Sequence, residues 1–203
     1  MQSRNAQSGF SLPELMAAML VLSFVMLGVT TFYVSNQRTY ERGRAQVETH
    51  QNARVGLEML ARELRMAGFD PLDQIPLQAT PSVFLVATAD TLTFLADVSG
   101  DDTLDRITYR QQGDRLIREF SSWDGSGFPA PVVGDVAAGL SAFGFAYADG
   151  TQPTNIPLAA PVTGTTLWDI RRITVTLQTR GSTVAGLETT YDLSIDVKTR
   201  NLT

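Results

Sequence analysis

The chain has 203 residues, 43% of them hydrophobic, with sixteen Lys and Arg against twenty-one Asp and Glu, no cysteine and one histidine. That size suits an anchor plus one globular domain. The missing cysteines exclude a disulfide-stapled scaffold and a Cys/His zinc site, and His50 alone leaves Ser-His-Asp chemistry a single candidate base.

The first nine residues form a short polar leader with one cation, Arg4. Phe10 follows, then a single carboxylate at Glu14, then twenty uncharged residues from Leu15 to Val34. At about 1.5 Å of rise per helical residue, such a run spans the hydrocarbon thickness of a bilayer. An acid at the head of that run is costly in lipid and marks a functional residue. A secretory signal is cut after its apolar region, behind small residues. Here the candidate processing site, Gly9-Phe10, lies before it. The bland alternative is a plain membrane anchor in which Glu14 is incidental.

One long helix is predicted from about Ser11 to Met66. Pro13 falls in its first turn, where a missing N–H does no harm. Residues 10–34 read as the membrane half and 35–68 as an amphipathic half. Val47, Leu57, Leu60, Ala61, Leu64 and Ala67 recur at three- and four-residue spacing, the stripe of a helix resting on a core. Arg54, Glu58 and Arg62 are spaced for pairing on the wet face, and His50 is expected to be a partly exposed helix residue. Gly68 and Pro71 give the stop signal. Gly28 with Thr30 and Thr31 reads either as a soft point in the helix or as a place of close helix packing.

Ser35 to Gly68 carries six arginines and four glutamates, a balance of +2. Phe69 to Thr203 carries nine basic and sixteen acidic residues, a balance of −7. An acidic head lacks the cationic surface that nucleic-acid binding needs, so no direct nucleic-acid partner is expected.

Beyond a linker, Asp70 to Pro81, the period changes to two. Strands are predicted at Ser82–Thr88, Thr91–Asp97, Asp105–Gln111, Asp114–Phe120, Leu140–Ala148, Trp168–Arg180 and Thr190–Arg200. In the last two, Ile173, Val175 and Leu177, and then Tyr191, Leu193, Ile195 and Val197, alternate with polar residues. Each reads as a strand with one buried face. Gly113-Asp114 and Gly181-Ser182 mark tight turns. Ser121 to Pro131 and Asp149 to Thr166 read as loops. Residues 69–203 thus form a β-rich head, with Trp168 expected in its core.

Asp97, Ser99, Asp101, Thr103 and Asp105 place oxygens at alternate positions, resembling the first nine positions of a calcium loop. Asp102 stands where the sharp-turn glycine belongs and Thr108 where the bidentate glutamate belongs, so the weak calcium candidate Asp97, Ser99, Asp101 and Asp105 competes with a polar hairpin loop. Trp123 and Phe128 read as satellite core packing or as an exposed contact. No nucleophile–base pair or phosphate loop stands out, so no enzyme is expected, and no cofactor beyond the calcium alternative.

Gly9, Phe10, Leu12, Glu14 and Leu15, running into a membrane-length helix, resemble the class III signal of type IV prepilins and type II secretion pseudopilins. That resemblance implies cleavage between Gly9 and Phe10 by a prepilin peptidase, with methylation of the Phe10 amine. It also implies an α+β pilin fold, a long N-terminal helix packed on an antiparallel β-sheet head. Counting cations alone, Arg4 before the segment against Arg38, Arg42 and Arg44 after it, favours the reverse orientation. The peptidase requires a cytoplasmic leader, and the head is therefore expected outside the cytoplasm.

Many major pilins carry a C-terminal disulfide loop, which a cysteine-free chain cannot form. The size, the Arg65-Met66-Ala67-Gly68-Phe69 helix end, the strand Asp105-Arg106-Ile107-Thr108-Tyr109-Arg110 and the terminal Arg200-Asn201 resemble the minor pilin family PilW and its J-type pseudopilin relative. The resemblance implies a non-enzymatic minor pilin that primes or caps a type IV pilus. Its partners would be the prepilin peptidase, the inner membrane, and other minor and major pilins. Glu14 would pair with the Phe10 ammonium in the filament core. The alternatives are a minor pseudopilin in a periplasmic type II secretion filament, or a membrane-tethered calcium-dependent adhesin.

Overall fold

The structure is a computed structural model that describes residues 11–75, 82–151, 155–180 and 190–201, with the backbone alone at Ala45. It divides into two units, 1–45 and 46–203. The helix α1, Leu12–Met66, runs through both.

In the first unit α1 is regular from Pro13 in its first turn onward, and every described side chain to Arg44 is exposed. The run holds no acid or base between Glu14 and Arg38, and it is long and apolar enough to cross a membrane.

In the second unit α1 presents Ala53, Leu57, Leu60, Ala61 and Leu64 to a core, with Ala67 just past its end, all buried. The predicted stripe holds except at Val47, which is 55% exposed. It lies below the first contact turn, one position after Gln46, whose amide instead reaches the hydroxyl of Tyr191. The helix stops as predicted. Gly68 takes φ +82° and donates its N–H to the Leu95 carbonyl at 2.9 Å. A Cβ there would lie 2.5 Å from the Asn201 carbonyl oxygen, so only glycine fits.

Two antiparallel sheets receive the helix, where one had been expected. The first is a meander in the order β1-β2-β3-β4-β5: Phe84–Ala87, Thr91–Ala96, Asp105–Gln112, Arg115–Ser122 and Val132–Ala138. The second has the order β7-β6-β8-β9: Pro157–Leu158, Leu140–Ala148, Arg172–Arg180 and Thr190–Lys198. Gly113-Asp114 forms the predicted two-residue turn between Gln112 and Arg115. The Gly181-Ser182 turn lies outside the described residues.

The core is one apolar cluster. It joins the helix stripe to Phe84, Leu92, Phe94, Ile107 and Tyr109 of the first sheet, and to Phe143, Phe145, Ile173, Val175 and Leu177 of the second. The alternation read in β8 is the observed pattern, with Ile173, Val175 and Leu177 buried. In β9 it weakens along the strand: Val197 is buried, Leu193 and Ile195 are half-buried, and Tyr191 is exposed.

Two strands were not foreseen. In β5, Gly134 and Asp135 interrupt the apolar run, and its pairing with β4 shifts register between Leu116 and Ile117. The two-residue β7 lies inside the predicted loop and is too short to leave a period. Trp168 is corrected on two counts. It belongs to a 3₁₀ helix, Gly164–Asp169, and not to the strand, and it is 54% exposed, while Leu167 and Ile170 fill the core beside it.

Candidate functional site

The candidate site begins where α1 begins. The Ser11 carbonyl accepts the N–H groups of Glu14 and Leu15, each at 3.1 Å, and closes the first turn. The Ser11 hydroxyl lies 3.4 Å from Glu14 Oε2. The Glu14 carboxylate therefore sits in the first helical turn, where the free N–H groups favour negative charge. Among the described residues no cation pairs with it. Gly9 and Phe10 lie outside the described residues.

Above Glu14 the polar side chains are satisfied locally. Ser23, Thr30 and Thr31 donate their hydroxyls to the carbonyls of Met19, Met26 and Leu27 at 2.7, 2.8 and 2.8 Å. Each bond stays within one helix turn, as an apolar medium requires. A Cβ on Gly28 would meet nothing within 4 Å, so within this chain that position is open to close approach from outside. The helix continues unbroken through it.

The Asp97–Asp105 segment joins β2 to β3. The Asp105 carboxylate accepts the N–H groups of Val98 and Ser99, both at 3.1 Å, together with the hydroxyls of Ser99 and Ser122. Asp97 accepts the N–H groups of Gly100 at 2.6 Å and Asp102 at 3.1 Å. Asp101 accepts the Ser99 hydroxyl and the Thr103 N–H, and those bonds hold its carboxyl below the usual range. Backbone N–H groups and hydroxyls thus hold these carboxylates within their own segment. Among the described residues no cluster of three or more His, Asp or Glu side chains is placed to hold a metal ion. The geometry is that of a hairpin loop closed by its own aspartates.

Trp123 and Phe128 meet edge to face at 5.2 Å, and the Arg106 guanidinium lies 4.9 Å from the Phe128 ring centre. Both rings are half-buried. His50 is half-buried on the helix, as expected, with Nδ1 3.1 Å from the Thr179 hydroxyl and its ring edge-on to Tyr191.

One feature escaped the sequence reading. Glu63 points into the interface between helix and first sheet and is 5% exposed. Arg118 of β4 grips it through Nε at 3.1 Å and its terminal nitrogen at 3.0 Å, and the Tyr109 hydroxyl donates to it at 2.7 Å. Burial, reinforced by the Glu63 charge, pushes the Tyr109 hydroxyl well above its ordinary pKa, so it stays protonated and donates to Glu63. The signal was legible: Glu63 stands three after Leu60 and four before Ala67, inside the apolar stripe. Gly56 was missed as well. A Cβ there would lie 2.9 Å from a methyl of Val136, so glycine lets β5 approach the helix.

Comparison with known proteins bears on both units. Residues 4–30 match the prokaryotic N-terminal methylation motif, a stretch that contains Gly9, Phe10 and Glu14. Among curated proteins no sequence matches this chain. Among solved structures, a type IV-like pilin from Thermus thermophilus superposes with a TM-score of 0.51 at 15% identity, covering 76% of this chain and 98% of its own. The chain thus combines the N-terminal methylation motif with the type IV pilin fold.

Proposed function

We propose that this chain is a non-enzymatic minor pilin, made as a prepilin, cleaved between Gly9 and Phe10, methylated on the Phe10 amine, and built into a type IV pilus where it primes or caps assembly. The observation that carries this reading is the coincidence of the methylation motif, residues 4–30, with a helix whose apolar side chains are exposed among the described residues.

In this reading the apolar run holds the subunit in the inner membrane, with its head outside the cytoplasm, and afterwards packs among the helices of other minor and major pilins. A carboxylate buried in that packing is strongly unfavourable without a partner. Cleavage by the prepilin peptidase removes the polar leader and creates an ammonium at Phe10, four residues before Glu14 in sequence. The same event therefore supplies the cation that Glu14 lacks. The acidic head supports a contact role over capture of nucleic acid by this subunit.

The test is Glu14→Ala, followed separately through processing and incorporation. Processing should remain near the native level, while recovery in sheared filaments falls at least about tenfold, the loss of one buried charge pair. Native recovery of the variant in filaments would refute the pairing.

A further inference from the structure

Four strands lie at the sheet edges, β1, β5, β7 and β9. Three of them are blunted. β1 has four residues, shifts register between Phe84 and Val86, and its Ala87 bridges Val162. β5 pairs through a bulge, and β7 has two residues and begins with Pro157. β9 differs: its nine residues pair with β8 from Arg180↔Thr190 to Arg172↔Lys198 without a shift. A long, regular edge is a template for another strand unless something guards it.

The side chains of β9 indicate which strand fits. On the solvent face, Asp196 is engaged by Arg172 at 2.6 Å, whereas Asp192 and Lys198 have no charged partner among the described residues. Lys198 stands opposite Arg172, a like-charge pair across the ladder. A carboxylate on its open side would relieve that repulsion. On the other face, Leu193 and Ile195 are half-buried and Tyr191 is 45% exposed, an apolar row that stops at the edge.

We propose that the occupant is a second copy of β9, paired antiparallel about a two-fold axis at Ile195. In that register Asp192 faces Lys198 of the second copy, and Lys198 faces Asp192. Ser194 meets Asp196 as a hydroxyl donor, Leu193 meets Val197, and Ile195 meets itself. Apolar residues share one face and charged residues the other, so the period of two is kept across the junction. Shifting the axis by one residue, to Ser194, would set Asp192 against Asp196, a like-charge pair made twice. The two-fold reverses strand direction, so the contact joins chains of opposite orientation, from different membranes or filaments and not neighbours within one. It is independent of the role proposed for Glu14.

The chain has no cysteine, which makes a crosslinking test clean. Directly opposed residues of an antiparallel pair bring their Cβ atoms within about 4.5–5.5 Å, close to the reach of a disulfide. Full-length Ile195→Cys in detergent should form a disulfide dimer under mild oxidation, and Ser194→Cys should not. In the Ile195→Cys background, Asp192→Lys or Lys198→Asp alone should lower the dimer yield about tenfold, through two like-charge contacts. The two charge changes together should restore it. Near-UV circular dichroism of each variant confirms the fold. Monomeric Ile195→Cys, dimerisation of Ser194→Cys, or crosslinking indifferent to the charge changes would each overturn the proposal.

Discussion

The two parts of α1 are one unbroken helix under opposite conditions. From Leu12 to Arg44 large apolar side chains face outward, with Phe24 68% and Phe32 70% exposed. From Ala53 to Ala67 smaller apolar side chains face inward, with Leu60, Ala61 and Leu64 at 0%. Apolar area left in water costs about 25 cal/mol per Å², so the first part calls for a cover that the described residues do not supply. The second part carries its cover with it. Membrane-length hydrophobicity and globular packing leave different marks on a helix: an uninterrupted run in one case, a stripe with a three- and four-residue period in the other.

Substitutions can break this contrast, beginning with the buried grip between helix and sheet. Arg118→Ala strands the Glu63 carboxylate in the core and should cost about 3–5 kcal/mol of stability for residues 46–203, read by denaturant melting of the Trp signals in detergent. Leu60→Ala removes core packing and should cost about 2–5 kcal/mol in the same assay. Gly56→Val forces a side chain against Val136 and should cost about 1–3 kcal/mol. Leu22→Ala should leave the same transition within about 0.5 kcal/mol, since Leu22 is 56% exposed and is not part of the core. A Leu22→Ala loss as large as that of Leu60→Ala would erase the distinction between the two parts.

Much of the fold was legible because the relevant signals are local. The helix start just before Pro13, its stop at Gly68 and the alternation of β8 are each written in neighbouring residues. What was not legible depends on partners far away in sequence. That two sheets form, not one, is settled by which strands pair, and β5 reads as a strand only once β4 lies beside it. Trp168 was expected inside because aromatics usually bury, but the 3₁₀ turn gives the inward positions to Leu167 and Ile170.

The candidate site divides in the same way. Glu14 was identifiable as a lone acid heading an apolar run. The spacing of Asp97, Ser99, Asp101 and Asp105 could not reveal that these side chains accept backbone N–H groups of their own loop. Glu63 was marked by its place inside the apolar stripe, but its partners, Tyr109 and Arg118, lie 46 and 55 residues away and leave no local pattern.

The most direct test of the central claim is the intact mass of the protein from cells with and without the prepilin peptidase. The account predicts loss of residues 1–9 and gain of one methyl group only where the peptidase is present. A chain that keeps its first nine residues in both would contradict it, leaving α1 a plain anchor and Glu14 without the cation it needs.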